Sequence, residues 1–306
     1  MQTTLKSRTR FTGIGLHTGQ KVRLAIHPAA AEYGIWFRRT DIVGADPLIA
    51  ARWDSVVPTK LCTRLVNESG VSVSTVEHVM AALAGCGVHN AMIDIDGPEV
   101  PILDGSAAPF VHAILECGLR SLDAPERAIE ILEPVEVHDG AARARLEPAG
   151  SLEIAFHIDF RDTAIGRQDK VLDMANGAFV RELCDSRTFC RQADVEAMRA
   201  SGLAMGGTLE NAVVVDGPRV LSPGGMRHSD EPVRHKMLDA LGDLALAGAP
   251  ILGRYTGTRA GHALTNRLLR TMFARPASFR MITCDPRTAR RLPGVGIRAD
   301  DLRLVA

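Results

Sequence analysis

The chain has 306 residues, and its 36 basic side chains balance its 36 acidic ones. A net charge of zero argues against an extended basic surface for nucleic acid, and a composition of 46% hydrophobic and 24% charged residues excludes bulk disorder. At about 150 residues per domain, this length predicts two domains.

The first half of the chain combines short strand patterns with two short helices. Alternation of apolar and polar residues predicts half-buried strands at 21–26 and 90–96. A helix is predicted at 76–84, before a glycine, and a second one is predicted at 107–117, after the turn sequence Asp104-Gly105-Ser106.

The periodicity lapses near residue 125 and strand patterns then restart. The elements predicted for the second half are strands at 129–137 and 152–158 and helices at 194–200, 232–247 and 262–273. Strands followed by helices, twice over, predict an α+β protein of two domains, 1–124 and 125–306, each a β-sheet layered with helices.

The same sequence bears on compartment and on membrane contact. No run of 18 apolar residues predicts a membrane span, and no apolar run follows the basic residues near the N-terminus as it does in a secretory signal. The six cysteines form no CxxC pair. We therefore expect a cytoplasmic protein with reduced thiols and no stable membrane anchor.

A polar stripe runs along the predicted helix 232–247. His235, Asp239 and Asp243 follow one another at intervals of four residues, and residues four apart lie on the same face of a helix. Two interpretations remain open for this stripe. It is either a solvated helix face or part of a metal site.

Ser74 and Glu77 have the spacing of a capping box, in which the carboxylate returns to the N–H of the cap residue. Glu77 also precedes His78, which makes it a candidate general base beside a metal ligand. A catalytic zinc takes three protein ligands and keeps one position for water, and His78, His235 and Asp239 supply that number. There is no H-E-x-x-H, so a standard zincin helix is excluded. The residues alone leave both interpretations open.

His262 stands at the predicted start of the helix 262–273, directly after a glycine. The helix dipole there lowers the pKa of a histidine, whereas neighbouring carboxylates raise it. From the residues alone, its protonation state and the choice between a structural and a catalytic role stay open.

Two common nucleotide and hydrolase motifs are absent. The glycine-rich segment 13–19 precedes the first clear strand pattern, lacks G-x-G-x-x-G spacing and has no Walker lysine. No G-x-S-x-G elbow is present, which argues against an α/β-hydrolase.

Five sequence motifs occur here in the same order as in a known protein family. They are TGIGLHTG at 12–19, STVEH at 74–78, DGSAAPF at 104–110, SRTF at 186–189 and HKMLD at 235–239. With them the chain resembles the family of UDP-3-O-acyl-N-acetylglucosamine deacetylases, zinc amidases that commit Gram-negative bacteria to lipid A and hence lipopolysaccharide synthesis. The likeness runs from about residue 2 to at least residue 285. It implies two domains with the active site where they meet.

The resemblance assigns a metal site and a catalytic base. It implies that His78, His235 and Asp239 bind Zn²⁺ and that Glu77 activates the attacking water. It thereby favours the metal interpretation over a capping box and a solvated helix face.

Three further residues resemble the remaining catalytic groups of the family. His262 matches the protonated partner that stabilises the oxyanion or donates a proton to the leaving amine. Asp243 matches the carboxylate that orients this histidine. Thr188 matches the hydroxyl near the tetrahedral intermediate, where developing negative charge is stabilised.

Substrate contacts are implied in the same way. Lys236 and Arg259 are the expected cations for the diphosphate or the nearby sugar, although lysine is more frequent in the family at the position of Arg259. Asp159 and Phe160 resemble the uridine contact, with the ring stacked on the base.

The segment 189–214, which includes Phe189 and Gly207, resembles the insert that forms an apolar tunnel for the fatty acyl chain. Ala204 stands where some relatives have a larger residue. Each methylene buried in such a tunnel contributes about 0.8 kcal/mol.

The expected function is therefore hydrolysis of the 2-acetamido group of UDP-3-O-acyl-N-acetylglucosamine, with release of acetate. One alternative is a zinc amidase that acts on another nucleotide sugar, and a second is a catalytically silent homologue that senses the acylated sugar nucleotide. The expected partner is this small-molecule substrate. We expect a monomer that makes transient contact with a membrane surface and does not bind nucleic acid.

Overall fold

The computed structural model describes residues 1–298 and 300–301, so the predicted end of the second domain, 302–306, lies outside the described residues. In chain order the first half contains β1 (Thr3–Leu5), β2 (Thr9–Ile14), β3 (Lys21–Pro28), β4 (Ile35–Arg39), β5 (Leu48–Ala50), β6 (Val56–Val57), β7 (Arg64–Val66), β8 (Ser72–Ser74), α1 (Glu77–Gly85), β9 (Ala91–Ile95), α2 (Ala108–Cys117) and β10 (Leu119–Ser121). The protein is α+β, as the sequence predicts.

The first half is built around a five-stranded sheet in the order β2-β3-β9-β4-β5, in which only the β9–β4 pair is parallel. The strands β6, β7 and β8 form a smaller antiparallel sheet, and β1 pairs with β10. The predicted strands at 21–26 and 90–96 are confirmed as β3 and β9. Their alternating apolar residues are buried, as period-two patterning requires.

The second half contains β11 (Arg127–Ile131), β12 (Val135–Asp139), β13 (Ala142–Glu147), β14 (Leu152–Asp159), β15 (Arg167–Asp173), α3 (Ala178–Glu182), β16 (Phe189–Arg191), α4 (Gln192–Ala200), β17 (Val213–Asp216), β18 (Arg219–Val220), α5 (Glu231–Ala245), β19 (Ile251–Thr258), α6 (His262–Phe273), β20 (Phe279–Thr283) and α7 (Pro286–Ala289). The seven-stranded sheet centres on β19, which lies parallel to β14 and β11 and antiparallel to β13. The strands β16, β17 and β18 form a separate small sheet.

Two strand predictions need correction. The segment 129–137 is two strands, β11 and β12, because residues 132–134 lie between them outside any strand and the two strands pair with different neighbours. The glycine-rich segment 13–19 does not precede the first strand, since β1 comes before it and β2 ends within it, at Ile14. The five predicted helices are confirmed, with their ends within two residues of the prediction.

The sheets respect the predicted division of the chain. In the described residues, each sheet takes its strands from one side of residue 125, while the division into 1–124 and 125–306 stays a prediction. None of the helices in the described part of the chain has the length and apolar character that crossing a membrane requires.

The helices α1 and α5 cross at very short range. A Cβ atom at Gly242 of α5 would collide with the backbone carbonyl oxygen of Glu77 at the start of α1. Glycine in the middle of a helix costs about 1 kcal/mol relative to alanine, and here it permits the approach. The crossing therefore brings the first turn of α1 against the middle of α5.

Candidate metal and catalytic site

The crossing of α1 and α5 brings three candidate metal ligands together. His78 comes from the first turn of α1, and His235 and Asp239 come from successive turns of α5. The Nε2 atoms of the two histidines lie 3.0 Å apart. His78 Nε2 lies 3.7 Å from an oxygen of Asp239, and one ligand atom from each residue fits within a span of 4.8 Å.

Burial corrects the interpretation of α5 as a solvated helix face. His235, Asp239 and Asp243 expose only 4%, 3% and 3% of their surface. Charged groups are seldom buried to this extent unless they are paired or bind a metal. The polar stripe faces α1 and the protein interior, which is why it is polar without being solvated.

The capping-box interpretation of Ser74 and Glu77 is wrong. Helix α1 begins at Glu77, with Val76 as its cap residue and no side-chain cap hydrogen bond. The Ser74 hydroxyl donates to the Pro98 carbonyl instead, and Glu77 Oε2 accepts the backbone N–H of Thr63 at 3.0 Å. The Glu77 carboxylate thus points away from its own helix start.

The donor set of this cluster fits a metal ion. Within the described residues, Asp239 Oδ1 is buried and has no hydrogen-bond partner, and such an atom is costly unless a ligand satisfies it. Two nitrogens that each lie about 2.0–2.1 Å from a tetrahedral ion are about 3.4 Å apart, close to the separation of the two Nε2 atoms. Imidazole and carboxylate are the ligands that zinc accepts.

Lys236 supplies positive charge to the same cluster. Its ammonium lies 2.6 Å from Asp239 Oδ2. Burial alone would raise the pKa of the Asp239 carboxyl, but His235, Lys236 and His262 together hold that pKa well below its ordinary value. Burial also lowers the pKa of His235 to about 3. Both residues therefore have the protonation states that metal ligands need.

Glu77 and His262 face each other beside the cluster. His262 is the first residue of α6, and its Nε2 lies 3.7 Å from Glu77 Oε1 and 4.0 Å from Asp239 Oδ2. Burial raises the pKa of Glu77, against the opposing effect of His262 and His78. A carboxylate that is not strongly acidic is suited to accept and later release a proton.

Asp243 holds His262 in place. Its Oδ2 lies 2.8 Å from His262 Nδ1, which leaves Nε2 directed toward Glu77. Burial lowers the pKa of His262, but Asp243, Glu77 and Asp239 outweigh that effect and raise it to about 9. The histidine is therefore protonated at neutral pH and able to donate a proton from Nε2.

Thr63 is a site residue that the sequence did not indicate. Its N–H donates to Glu77 Oε2, and its hydroxyl donates to Asp243 Oδ1 at 2.5 Å. It thus fixes both the candidate base and the carboxylate that holds His262. No motif or spacing marks a single threonine whose partners lie 14 and 180 residues away.

Thr188 lies directly before β16 and is anchored from two sides. Its N–H donates to the carbonyl of Gly105, and its carbonyl accepts the N–H of Val213, both at 2.8 Å. The preceding Arg187 forms a buried ion pair with Glu231, the first residue of α5. This pair ties the Thr188 segment to the helix that carries two of the candidate ligands.

Thr188 and Phe189 line a cavity of about 320 Å³ that we call the side cavity. Its wall includes Leu16, His17, Leu61, Thr188, Phe189, Val195, Met198, Ala204, Gly207 and Leu209. Most of these residues belong to the segment 189–214. A larger cavity of about 490 Å³ lies at the far ends of α1 and α5 and contains none of the candidate catalytic groups.

Aromatic rings connect the side cavity to the cluster. The ring of Phe189 lies edge-on to His235 at 6.0 Å and edge-on to Phe160 at 5.4 Å. Asp159 and Arg259 form an exposed ion pair with each other at the adjoining ends of β14 and β19. Four of the six predicted substrate contacts thus lie close together: Asp159, Phe160 and Arg259 stand at the ends of β14 and β19, and Phe189 contacts Phe160.

Gly207 and Ala204 belong to a loop that packs on the glycine-rich segment. The N–H of Gly206 donates to the Leu16 carbonyl at 3.0 Å, and the N–H of Met205 donates to the His17 carbonyl at 3.2 Å. His17 is buried and lines the side cavity. The sequence indicated this segment only through the resemblance and assigned it no role.

Comparison with known proteins gives a consistent result. The model of the family described as "LpxC: UDP-3-O-acyl N-acetylglycosamine deacetylase" matches residues 2–274. A protein named UDP-3-O-acyl-N-acetylglucosamine deacetylase from Phenylobacterium zucineum (strain HLK1) is 53% identical over 282 residues, which cover 92% of this chain and 96% of that protein.

Two Shewanella proteins of the same name are similar over comparable lengths. The protein from Shewanella sp. (strain W3-18-1) is 45% identical over 284 residues, or 92% of each chain. The protein from Shewanella frigidimarina (strain NCIMB 400) is 44% identical over 286 residues, or 93% of each chain.

Proposed function

Because the chain belongs to the family of UDP-3-O-acyl-N-acetylglucosamine deacetylases, we propose that its buried cluster and the acid–base pair beside it carry out that hydrolysis. The reaction removes the N-acetyl group of the acylated sugar nucleotide in lipid A biosynthesis and yields acetate and the free amine. One observation carries the assignment of the site. His78, His235 and Asp239 converge from two helices directly beside Glu77 and His262.

We propose Zn²⁺ as the ion that His78, His235 and Asp239 bind. Two imidazoles and one carboxylate leave a coordination position free, as in catalytic rather than structural zinc sites. When bound, the ion supplies a Lewis acid that polarises a carbonyl oxygen. The partnerless Asp239 Oδ1 supports this assignment.

Glu77 and His262 divide the proton transfers between them. Glu77 Oε1 accepts a proton from the attacking water as the new C–O bond forms at the acetyl carbonyl carbon. His262, protonated at Nε2, donates to the amine nitrogen as the C–N bond breaks. The raised pKa values of both groups suit these roles, and Asp243 keeps His262 charged and oriented.

Thr188 and the side cavity are the proposed contacts for the oxyanion and the acyl chain. The Thr188 hydroxyl is a candidate donor to the developing oxyanion, where a preorganised donor is worth most. The apolar wall of the side cavity suits the 3-O-acyl chain. Lys236, Arg259 and the Asp159–Phe160 pair remain the proposed contacts for the diphosphate and uridine.

Metal content measured against turnover tests the proposal. We expect about one zinc per chain, with deacetylation lost after chelation and restored by zinc in step with occupancy. His235→Ala should lower zinc affinity, whereas full occupancy of that variant after dialysis would remove His235 from the ligand set. Turnover that ignores chelation would overturn the metal mechanism.

Substrate comparison separates the two alternatives. Turnover of 3-O-acylated UDP-N-acetylglucosamine should exceed that of the unacylated compound, and equal rates would favour an amidase for another nucleotide sugar. A protein that binds the acylated compound without releasing acetate would be a sensor. The complete set of Glu77, His262 and three candidate ligands argues against a sensor, since binding alone does not need an acid–base pair.

We further propose that the protein works as a monomer in the cytoplasm and contacts a membrane surface transiently. The amphipathic substrate supports such contact. Size-exclusion chromatography with light scattering and a vesicle flotation assay test the oligomeric state and the membrane contact.

A further inference from the structure

Glu99 is a buried carboxylate that the mechanism does not use. It exposes 1% of its surface and accepts three hydrogen bonds. The donors are the N–H of His17 at 2.8 Å, the N–H of Thr18 at 2.8 Å and the hydroxyl of Thr75 at 2.9 Å. An ionised carboxylate is an acceptor only, so three converging donors match it well.

The first two donors belong to the glycine-rich segment beside the side cavity. Leu16 and His17 form part of the cavity wall, and the adjoining loop at 204–207 hydrogen-bonds to both of them. A Cβ atom at Gly15 would collide with the Glu99 carboxylate, so glycine is required for this approach. Glu99 therefore fixes one wall of the side cavity.

The third donor, Thr75, lies just before α1, the helix that begins with Glu77. Thr75 lies two residues before Glu77 and has a φ of +57°, a conformation that a β-branched residue rarely adopts. Such a conformation persists only where the surroundings impose it. The hydrogen bond to Glu99 is one of those restraints, and it acts next to the candidate base.

The backbone around Glu99 joins the same two regions. Ser74 exchanges hydrogen bonds with Pro98 and Val100, each at 3.0 Å, and Ile102 donates to the carbonyl of Ile14 at 2.9 Å. The segment 98–102 thus lies between the end of β8 and the end of β2. Its one buried carboxylate contacts both.

We propose that Glu99 is a positioning residue that couples occupancy of the side cavity to the alignment of Glu77. The inference rests on the proposed function and deepens it. The acyl chain contacts Leu16 and His17, their backbone is held by Glu99, and Glu99 holds Thr75 ahead of α1. The 3-O-acyl chain consequently raises kcat, in addition to lowering KM.

Two variants break the coupling from opposite sides. In Glu99→Gln the amide oxygen can keep the bonds to His17 and Thr75, while the NH₂ group meets the N–H of Thr18. In Thr75→Val the loop contacts stay, and the hydroxyl that reaches Glu99 is removed without losing the branched side chain. Thr75→Ser retains the hydroxyl and serves as the rescue.

The measurement is kcat and KM on 3-O-acylated and unacylated UDP-N-acetylglucosamine, with zinc content determined for each variant. Misalignment of a catalytic group by about 1 Å costs about 100-fold, so we expect the kcat ratio of acylated to unacylated substrate to fall at least about tenfold in Glu99→Gln and in Thr75→Val. Thr75→Ser should keep the wild-type ratio, and all variants should retain zinc.

Asp96→Asn is the matched control. Asp96 also accepts a backbone N–H, that of Arg23 at 2.6 Å, but it is not in the side cavity or next to α1. The same carboxylate-to-amide change there should leave the kcat ratio unchanged. A drop in this control equal to that in Glu99→Gln would remove the case for a specific coupling.

A wild-type kcat ratio in Thr75→Val would overturn the proposal, even if Glu99→Gln failed to fold. A proportional loss on both substrates would overturn it as well, because that is what general destabilisation produces. These outcomes differ from failure of the proposed function, in which the unaltered protein itself would not release acetate from the acylated substrate.

Discussion

The crossing of α1 and α5 and the wall of the side cavity differ in how firmly they are held. At the crossing, His78, His235 and Asp239 expose 4% of their surface or less, and Thr63, Asp243 and Lys236 bind their neighbours. In the cavity wall, His17 and Ala204 are buried, but α4 contains no buried residue, and Leu61 and Leu209 expose 42% and 40%.

This difference follows from what each region has to do. Acid–base groups beside a metal need fixed distances and a low dielectric, where each interaction is strong. An apolar chain needs only a sheltered surface of suitable length, because the hydrophobic effect is non-directional. Replacing side chains at the crossing should therefore change the chemistry, and replacing them in the cavity wall should change the choice of substrate.

The largest expected effect is the loss of Glu77, the proposed base at the crossing. Glu77→Ala should lower kcat by about 10²–10⁴, because the other carboxylate near His262 Nε2, that of Asp239, is a proposed metal ligand and cannot replace Glu77 as the base. Zinc content should stay at the wild-type level, since Glu77 is not among the proposed ligands. Steady-state kinetics with metal analysis checks both points, and normal turnover in this variant would assign Glu77 a purely structural role.

Substitution of two methionines tests how tightly the helix crossing and the cavity wall are packed, through the free energy of unfolding. Met237 on α5 is fully buried, whereas Met198 on α4 is half-buried in the cavity wall. Met237→Ala should lower the free energy of unfolding by about 2–5 kcal/mol through the cavity it leaves, and Met198→Ala by about 0.5 kcal/mol.

Urea unfolding of the metal-free variants checks these values, since bound metal would add its own stabilisation. Equal losses for Met198→Ala and Met237→Ala would show that the cavity wall is as tightly packed as the helix crossing. The contrast between the two regions would then have to be abandoned.

The sequence predicted the crossing far better than the sheet around it. The helices and the His235–Asp239 interval follow from periodicity within a few turns. His78 and His262 were candidates from the residues alone, and the resemblance favoured a catalytic role for both. The central strand β19 escaped prediction because Gly253 and Gly257 interrupt its alternation. Their missing side chains make room for Ile131 and Phe156, which are distant in the chain.

Local sequence pattern also gave a wrong prediction where residues distant in the chain supply the hydrogen bonds. Ser74 and Glu77 have the spacing of a capping box, but Pro98 and Thr63 supply their hydrogen bonds. Thr63 itself carries no signal, since its role depends on a backbone N–H and a hydroxyl that meet two distant segments. Such contacts are fixed by the fold and leave no periodic trace.

The next effect is a fall of kcat/KM at alkaline pH, which depends on the charged groups around His262 at the crossing. Three carboxylates raise the pKa of His262 to about 9, so the proton of this proposed donor is present below that pH and lost above it. Because the positive charge of bound zinc lowers the pKa of a nearby histidine, we expect kcat/KM to begin to fall at or below pH 9, by about tenfold per pH unit. Asp243→Asn removes the largest charge that raises this pKa and should move this fall to lower pH.

The same shift links His262 to folding of the metal-free protein. Folding raises the pKa of His262 from 6.5 to about 9. Its contribution to stability is therefore complete below about pH 6.5 and is lost as the pH rises through about 9. If Asp243→Asn leaves the alkaline fall of kcat/KM at the same pH, a group other than His262 causes that fall.

The smallest expected effect lies in the cavity wall. Each methylene of the 3-O-acyl chain that the side cavity buries contributes about 0.8 kcal/mol, or about fourfold in affinity. Affinity should therefore rise in steps of about that size as the chain lengthens, and stop rising when the chain fills the cavity. Ala204→Leu should move that limit to shorter chains, because Ala204 lines the cavity, while kcat with a short chain stays within about twofold. A variant with an unchanged length limit would exclude this part of the wall from the acyl site, because added bulk there must displace any chain that passes it.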